Sequence, residues 1–239
     1  MVTYVSDTDE KKYLIFGGTF DPVHLGHMRI AQYACDQFGF SRCYFLPNAL
    51  PAGGYKQTHA TVAERKHMLL CSLNDYDPRF YLDDRELKRG EDSYTYQTLA
   101  ELRRELGDQV RIFWLMGSDA FNQLSGWHAW ERLFTQTNFI VVTRPEHPFR
   151  PATALRTYYG KHMIQDKHVF LQQRQGAIYL VQDMQIAISS TAIRQTMHQA
   201  THSNKVIHKN KATDYRAAHL TTHLPAQVYH YIVRKKLYQ

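Results

Sequence analysis

The sequence predicts an α/β fold: a mostly parallel sheet with helices on both faces. Short apolar runs alternate with segments of helical periodicity along the whole chain, as in consecutive βαβ units. With 239 residues, the chain is long enough to bury its own core, and a single domain spanning 1–239 is expected. The apolar runs fall far short of the ~20 residues that a membrane helix needs, so no bilayer-spanning segment is predicted.

Three strands and two helices are predicted in the first part of the chain. Apolar runs that end at turn residues predict buried strands, at 13–16, 43–46 and 80–82. Helical spacing of apolar residues predicts the first helix, through Leu25, Met28, Ala31, Cys35 and Phe38. A capping box of Thr61 and Glu64 begins the second helix, which runs to about residue 74.

The rest of the chain continues the alternation. Further strands are predicted at 110–116, 139–142 and 177–181, with a short apolar run at 186–188 just beyond the last. Ser93 or Thr95 begins a helix that ends near residue 106. Ser189 or Ser190 caps a helix that opens a C-terminal helical portion from about residue 189, and Pro225 opens the last helix.

Charge and cysteine content narrow the class of partner and the compartment. Lysine and arginine number 29 against 22 aspartate and glutamate residues, a formal net charge of +7. A basic chain suits anionic partners, which are nucleic acid, a membrane surface or phosphorylated small molecules. Three cysteines without CxxC spacing indicate reduced thiols. No signal or transit peptide is visible, so a cytoplasmic location is expected.

The polar, basic segment 198–223 is predicted to be a surface insertion. It contains several lysines and histidines. A histidine-rich metal loop or a contact between subunits is the alternative, and both a monomer and a homo-oligomer remain open.

The turn after the first strand, residues 17–27, reads GGTFDPVHLGH. It is neither the GxGxxG dinucleotide fingerprint nor a P-loop. Gly17 and Gly18 allow a close approach of the backbone to a ligand. His24 and His27, three apart at a helix start, share one face, and Gly26 keeps that face low. Helix amides and two imidazoles together predict a site for phosphate oxygens.

Each residue of this turn also has a simpler explanation. Paired glycines often make only a turn, and a histidine is commonly a packed or surface residue. Two histidines would suit zinc, but the spacing suggests no third or fourth ligand. Their convergence at the carboxyl end of a first strand, where α/β sheets bind ligands, favours the phosphate site.

The same turn resembles the HxGH signature of the nucleotidylyltransferase superfamily. Its members join a nucleoside triphosphate to a phosphate-bearing acceptor. The superfamily's second hallmark, an ISSTxxR-type motif, is present as ISSTAIR at 188–194. Hydroxyls and free amides at a helix start accept phosphate, and Arg194 adds a permanently charged fork. The resemblance implies a Rossmann-like nucleotidylyltransferase fold.

The segments between the two motifs resemble bacterial nicotinate-nucleotide adenylyltransferase. They are RKHML at 65–69, LDDRELKR at 82–89, SYTYQTL at 93–99, GSD at 117–119, Trp127, Arg144-Pro145, and the ending from Leu224-Pro225 to Leu237-Tyr238. The resemblance covers nearly the whole chain. It implies transfer of the adenylyl group of ATP to nicotinate mononucleotide, which gives deamido-NAD (nicotinate adenine dinucleotide) and pyrophosphate in NAD biosynthesis.

The resemblance also implies roles for individual residues. The catalytic residues are His24, His27 and Arg194. ATP contacts are expected at Gly17, Gly18, Thr19, Phe20, His24, His27, Ile188, Ser189, Ser190 and Arg194. Nicotinate mononucleotide contacts are expected at Thr19, Asn48, Tyr94, Thr95, Asp119, Trp127, His128 and Arg144. Backbone groups near Thr95 and His128 read the nicotinate carboxylate, and Trp127 stacks on the pyridine ring. Core packing is the alternative for Trp127, and helix capping for Asp119.

Magnesium is implied by the triphosphate and would be held mainly by phosphate oxygens and water. No protein ligand is assigned to it. The chain departs from the family at 47–56, which reads PNALPAGGYK instead of a PxxxPPHK-like loop. Lys56 is the candidate for the lost basic group. His128 stands where many members have tyrosine.

Three other functions are weighed against this one. The same superfamily includes enzymes for other acceptors, such as nicotinamide mononucleotide or phosphopantetheine. A nucleic-acid-binding protein would fit the charge, but no recognised motif accompanies it. A non-catalytic nucleotide sensor is disfavoured because both histidines of the signature are present.

Overall fold

The computed structural model describes residues 12–51, 58–90, 92–143, 148–184, 186–203 and 220–239. The strands, numbered in chain order, are β1 (Lys12–Gly18), β2 (Cys43–Pro47), β3 (Leu50–Pro51), β4 (Phe80–Leu82), β5 (Asp92–Ser93), β6 (Arg111–Gly117), β7 (Asn138–Val142) and β8 (Ile178–Val181). The helices are α1 (Leu25–Phe38), α2 (Val62–Tyr76), α3 (Arg85–Arg89), α4 (Thr95–Leu106), α5 (Ser118–Asn122), α6 (Trp130–Leu133), α7 (Thr153–His162), α8 (Lys167–Gln172), α9 (Ser190–Ser203) and α10 (Ala226–Lys235).

Six of the strands form one parallel sheet in the order β4-β2-β1-β6-β7-β8. The chain lays β2 and β4 on one side of β1 and then crosses to build β6, β7 and β8 on the other. The strand order therefore reverses between β1 and β6. Parallel α/β sheets bind ligands in the crevice outside the carboxyl ends of the strands at such a reversal. The turn after β1 and the turn after β6 flank this crevice.

Helices cover both faces of the sheet because alternate strand residues point to opposite sides. In β1, Leu14 and Phe16 join one buried cluster with Met28 and Ile30 of α1. Ile15 belongs to the second cluster, on the other face. α2 and α10 contribute to the first cluster, and α4 contributes to the second. The predicted α/β architecture with helices on both faces is confirmed.

Most predicted elements are present, with ends that move by a few residues. The capping box of Thr61 and Glu64 begins α2: Glu64 N–H donates to the threonine Oγ1 at 3.3 Å, and Thr61 N–H donates to the glutamate at 2.8 Å. The run at 186–188 is not a strand but irregular chain before α9. α3 and α5 to α8 were not predicted, because most are only four to six residues long and so show little periodicity.

The predicted insertion at 198–223 is only partly described. Residues 198–203 form the last turns of α9, and 204–219 lie outside the described residues, as does Lys56. Within the described part of the chain, no helix is long and apolar enough to cross a membrane.

Candidate active site

The turn between β1 and α1 is packed closely against aromatic rings. A Cβ atom at Gly17 would overlap the Trp114 ring, and one at Gly18 would lie 2.9 Å from Cζ of Phe20. Phe20 itself adopts the left-handed conformation, with φ of 49°, and its buried ring packs edge-on against Phe16. The two glycines are therefore required by the packing beneath the turn, a reason different from the ligand approach that the sequence predicts.

His24 and His27 form a stacked pair at the start of α1. Their ring centroids lie 3.6 Å apart with an interplanar angle of 25°. His24 is the N-cap residue and is only 1% exposed, whereas His27 is partly exposed. A Cβ at Gly26 would lie 2.9 Å from Nδ1 of His24, which explains the glycine between them. The two histidines therefore lie on one face of α1, as predicted, and the His27 ring is the more exposed of the two.

The hydrogen bond between the two histidines defines the tautomer of His27. The backbone N–H of His24 donates to Nδ1 of His27 at 3.2 Å. Because Nδ1 accepts, the proton of the neutral ring is on Nε2. His27 therefore has an Nε2–H group that is able to donate to an anion at the start of the helix.

The ISSTAIR segment lies directly against the first motif. Ser189 caps α9 by accepting from Ala192 N–H at 3.2 Å. The Ser190 hydroxyl donates to the carbonyl of Pro22 at 2.9 Å. Nη1 of Arg194 donates to the carbonyl of Asp21 at 2.7 Å. The two motifs that the sequence predicts to converge thus share direct hydrogen bonds, and the helix starts of α1 and α9 border one site.

Asp21 joins four separate parts of the chain. Its buried carboxylate accepts from His59 N–H at 2.7 Å, from Ala60 N–H at 3.2 Å and from the Tyr238 hydroxyl at 2.7 Å. Its carbonyl accepts from Arg194. Asp21 is part of the recognised motif, but no role was predicted for it, and nothing in local spacing indicates these partners.

Arg65, on α2, is fully buried beneath the site. Its guanidinium donates to the carbonyls of Thr19 at 2.8 Å, Asn48 at 2.9 Å and Ala49 at 2.8 Å. Burial lowers the pKa of the group, and the charge of Asp21 opposes that effect. Arg65 therefore fastens the turn after β1 to the turn after β2. The only sequence signal for it was the family-like RKHML segment.

Several of the residues predicted for the acceptor form a connected rim next to this turn. Asn48 donates from Nδ2 to the Thr19 hydroxyl at 3.2 Å, and Ala49 N–H donates to the Ser93 hydroxyl at 2.9 Å. Tyr94 occupies the N-cap position of α4, which begins at Thr95. The Tyr94 ring lies 5.0 Å from that of His128. Hydrogen bonds and ring contacts thus lead from Thr19 to the segment that carries Trp127 and His128.

The remaining predicted site residues differ in how they are placed. Asp119 is in the first turn of α5, immediately after β6, and so borders the strand-order reversal. Phe20 and Ile188 have buried side chains that belong to the core, so only their backbone atoms are available to ATP. Trp127 is half-buried against the second cluster. Arg144 lies outside the described residues.

A separate cavity of about 360 Å³ is lined by Arg103, Asp108, Arg174 and Gln175. Asp108 and Arg174 precede β6 and β8, so this cavity is at the amino ends of the strands, opposite both motifs. Among the described residues, no group of three or more His, Cys, Asp or Glu side chains is arranged to hold a metal ion.

Known proteins of similar sequence identify the family of this chain. The family model described as cytidylyltransferase-like matches residues 15–196. A probable nicotinate-nucleotide adenylyltransferase of Serratia proteamaculans is 34% identical over 196 residues, 82% of this chain and 88% of the relative. One of Methylococcus capsulatus is 37% identical over 77% of this chain and 87% of the relative. The chain belongs to the nicotinate-nucleotide adenylyltransferases of the cytidylyltransferase-like family. The resemblance stated from the sequence motifs is confirmed.

Solved structures support the fold of this adenylyltransferase family member. Plasmodium falciparum nicotinic acid mononucleotide adenylyltransferase, complexed with NaAD, aligns with a TM-score of 0.66 at 18% identity. The alignment covers 96% of this chain and 98% of the other. A putative nicotinate-nucleotide adenylyltransferase from Vibrio parahaemolyticus aligns with a TM-score of 0.57 at 14% identity. The predicted Rossmann-like nucleotidylyltransferase fold is confirmed.

Proposed function

We propose that the protein transfers the adenylyl group of ATP to nicotinate mononucleotide, forming deamido-NAD and pyrophosphate in NAD biosynthesis. One observation carries the proposal: the ISSTAIR helix is hydrogen-bonded to the HxGH turn through Arg194 and Asp21, at the strand-order reversal. This arrangement places the starts of α1 and α9 around one site, together with the side chains of His27 and Arg194. The N–H groups of the helix starts and of these two side chains suit the oxygens of a triphosphate. Family membership supports the acceptor.

The reaction is an in-line displacement at the α-phosphorus of ATP. A phosphate oxygen of nicotinate mononucleotide forms the new P–O bond, the bond between the α-phosphorus and the bridging oxygen breaks, and its electron pair leaves with pyrophosphate. The nucleophile is already an anion, so no side-chain base has to activate it. The protein contributes alignment and neutralisation of charge.

The donors are assigned as follows. His27 donates from Nε2 to oxygens of the reacting phosphates, with His24 stacked behind it. Ser190 and Arg194, at the start of α9, hold the β,γ end of the triphosphate. Gly17, Gly18 and Thr19 form the floor beside the nucleotide, together with the backbone of Phe20, Ile188 and Ser189.

The acceptor is assigned to the rim that runs from Asn48 to His128. Backbone amides near Thr95 suit a carboxylate because α4 begins there and its first N–H groups have no partner within the helix. Trp127 offers a flat π face to the pyridine ring. Tyr94, Asp119, His128 and Arg144 complete the proposed nicotinate mononucleotide contacts.

Mg²⁺ is proposed to enter with ATP as part of the substrate. It prefers oxygen ligands, whereas His27, the donor proposed for the reacting phosphates, offers nitrogen. Phosphate oxygens and water are therefore its proposed ligands, and the ion supplies neutralisation of triphosphate charge.

We also infer a cytoplasmic location, which the free thiols of Cys35, Cys43 and Cys71 support.

Release of pyrophosphate with different acceptors tests the function. With ATP and Mg²⁺, nicotinate mononucleotide should give a kcat/KM well above those for nicotinamide mononucleotide and phosphopantetheine. A preference for either of the other two would reassign the acceptor within the same reaction class. Steeply salt-dependent binding to oligonucleotides without any turnover of ATP would instead support the nucleic-acid alternative.

A further inference from the structure

The C-terminal end of the chain returns to the turn after β1. α10 ends at Lys235, after which Lys236 and Tyr238 both adopt left-handed backbone conformations, with φ of 53° and 61°. Non-glycine residues rarely adopt this conformation unless surrounding contacts impose it. Tyr238 packs against the first cluster, its ring centroid lies 6.5 Å from that of His59, and its hydroxyl donates to Oδ1 of Asp21 at 2.7 Å.

Tyr238 completes the hydrogen bonding of a buried carboxylate. Asp21 is 2% exposed, and its oxygens also accept from the backbone N–H groups of His59 and Ala60. A buried carboxylate needs such donors to offset its loss of water. Burial and the hydrogen bond to Asp21 raise the pKa of Tyr238 well above its usual value, so the phenol keeps the proton that it donates.

The backbone of the same residue is held by the second motif. Arg194 donates to the carbonyl of Asp21 at 2.7 Å, and Ser190 donates to that of Pro22 at 2.9 Å. Val23, next in the chain, is fully buried, and His24 follows it. The position of the stacked histidines therefore depends on a turn that is fixed through both the carboxylate and the carbonyl of Asp21.

We propose that Tyr238 is a positioning residue for this turn: its hydrogen bond to Asp21 keeps the stacked pair of His24 and His27 in the position that faces the phosphates. The proposal rests on the proposed function for the identity of the reaction. Tyr238 acts through Asp21 and the turn, and is distant in sequence from both phosphate motifs. Because rates depend steeply on the placement of donors, its effect falls on turnover rather than on binding of the acceptor.

Steady-state kinetics of Tyr238→Phe give the first test. The variant should lose about tenfold in kcat, while KM for nicotinate mononucleotide changes less than about twofold. Tyr231→Phe is the matched control, because Tyr231 is on α10 and its ring contacts His67 and Arg234, away from Asp21. It should keep the wild-type kcat. A wild-type kcat in Tyr238→Phe overturns the proposal.

A double-mutant cycle with His27→Ala separates positioning from a general loss of structure. If Tyr238 acts by placing His27, the Tyr238→Phe substitution should change kcat by less than about twofold in the His27→Ala background. A full tenfold loss in that background, or a loss of kcat that is explained by the unfolded fraction in thermal unfolding, overturns the proposal.

NMR of histidine labelled at Cε1 distinguishes failure of this proposal from failure of the proposed function. Tyr238→Phe should shift the His24 and His27 signals and leave that of His230, which is exposed on α10, unchanged. Shifted signals in a protein that does not turn over nicotinate mononucleotide would support positioning and contradict the substrate. Normal turnover with unshifted signals and unchanged kcat would contradict positioning alone.

Discussion

The guanidinium of Arg194 donates to the carbonyl of Asp21 at 2.7 Å, although 173 positions separate the two residues. This bond directly connects the HxGH turn and the ISSTAIR segment, which are far apart in the sequence. Arg194 also donates to the Thr191 hydroxyl at 3.2 Å, so contacts within the protein already orient its planar group. A guanidinium has five N–H donors, which leaves donors for a phosphate while this bond is kept.

Replacing Arg194 with lysine should therefore impair the site although the charge is kept. An ammonium group is a point charge and lacks the planar fork needed to hold Asp21 and a phosphate together. We expect kcat/KM for ATP to fall about 10- to 100-fold, which corresponds to the ~1.5–3 kcal/mol of a hydrogen bond to a charged group. Arg104→Lys, on the exposed face of α4, is the control. Equal kcat/KM in the two variants would remove Arg194 from the site.

His27 should be replaceable in part by glutamine. His27 accepts at Nδ1 from His24 N–H, so the ring presents its proton at Nε2, a position that the amide nitrogen of glutamine approaches. His27→Ala should lower kcat by roughly 10²–10³, and His27→Gln should lose less. Both are measured by pyrophosphate release, with circular dichroism to verify folding. If the alanine variant keeps full turnover, His27 is not a phosphate donor.

The sequence predicts the sheet and both phosphate motifs because these features are local. Strand runs, helix caps and the spacing of His24 and His27 lie within a few residues of one another, where periodicity is informative. Their proximity to Arg194 follows from the rule that strand ends meet at one edge of a parallel sheet. The role of each predicted residue in binding remains a prediction.

The contacts of Asp21, Arg65 and Tyr238 could not be predicted in the same way. The hydrogen bond between Asp21 and Tyr238 joins residues 217 positions apart, and such a contact leaves no local pattern. Arg65 is in a charged helical segment that normally faces water, yet the fold buries it completely. Spacing likewise predicts that His24 and His27 share a face but not that His24 is the inner ring.

Removing the Arg65 guanidinium should destabilise the protein strongly. Arg65→Met leaves the carbonyls of Thr19, Asn48 and Ala49 without this donor. Each buried acceptor that is left unsatisfied costs about 1–3 kcal/mol, so the free energy of unfolding in urea should fall by about 3 kcal/mol or more. Lys66→Met is the neighbouring control: its ammonium pairs with Asp84 near the surface, so its loss should cost no more than about 1 kcal/mol. Equal losses would mean that burial of Arg65 has no energetic consequence.

Trp127 should act on the acceptor and not on ATP. If its ring stacks on the pyridine, Trp127→Ala should raise KM for nicotinate mononucleotide about 5- to 100-fold, since stacking of a base on an aromatic ring contributes ~1–3 kcal/mol. KM for ATP should be unchanged, and Trp127→Phe should recover part of the loss. Trp130→Ala is the control, because that ring packs on Phe134 and Tyr158 and should alter stability only. Parallel rises in both KM values would favour the core-packing explanation of Trp127.

Glu86 should make stability depend on pH in the direction opposite to a carboxylate whose pKa is lowered by folding. It is buried and accepts from the Thr98 hydroxyl of α4 at 2.6 Å. Burial, only partly offset by hydrogen bonds from Thr98 and Ser93, raises its pKa above 4.5. A carboxyl whose pKa is higher in the folded state makes its full contribution to stability below the pKa that it has in the unfolded state. That contribution is lost as pH rises through the folded pKa. The free energy of unfolding of Glu86→Gln, relative to wild type, should therefore increase from about pH 4 to about pH 8.

Asp77 provides a control with the opposite sign. Hydrogen bonds from Arg79, at 2.9 Å to Oδ1 and 2.6 Å to Oδ2, lower the pKa of this carboxyl below 3.8 despite its partial desolvation. Its contribution is present above the unfolded pKa and is lost as pH falls through the folded pKa. Asp77→Asn should thus destabilise most near neutral pH, and its difference from wild type should shrink toward about pH 3. Urea unfolding of both variants across this range measures the two slopes, and slopes of the same sign would contradict the assigned environment of Glu86.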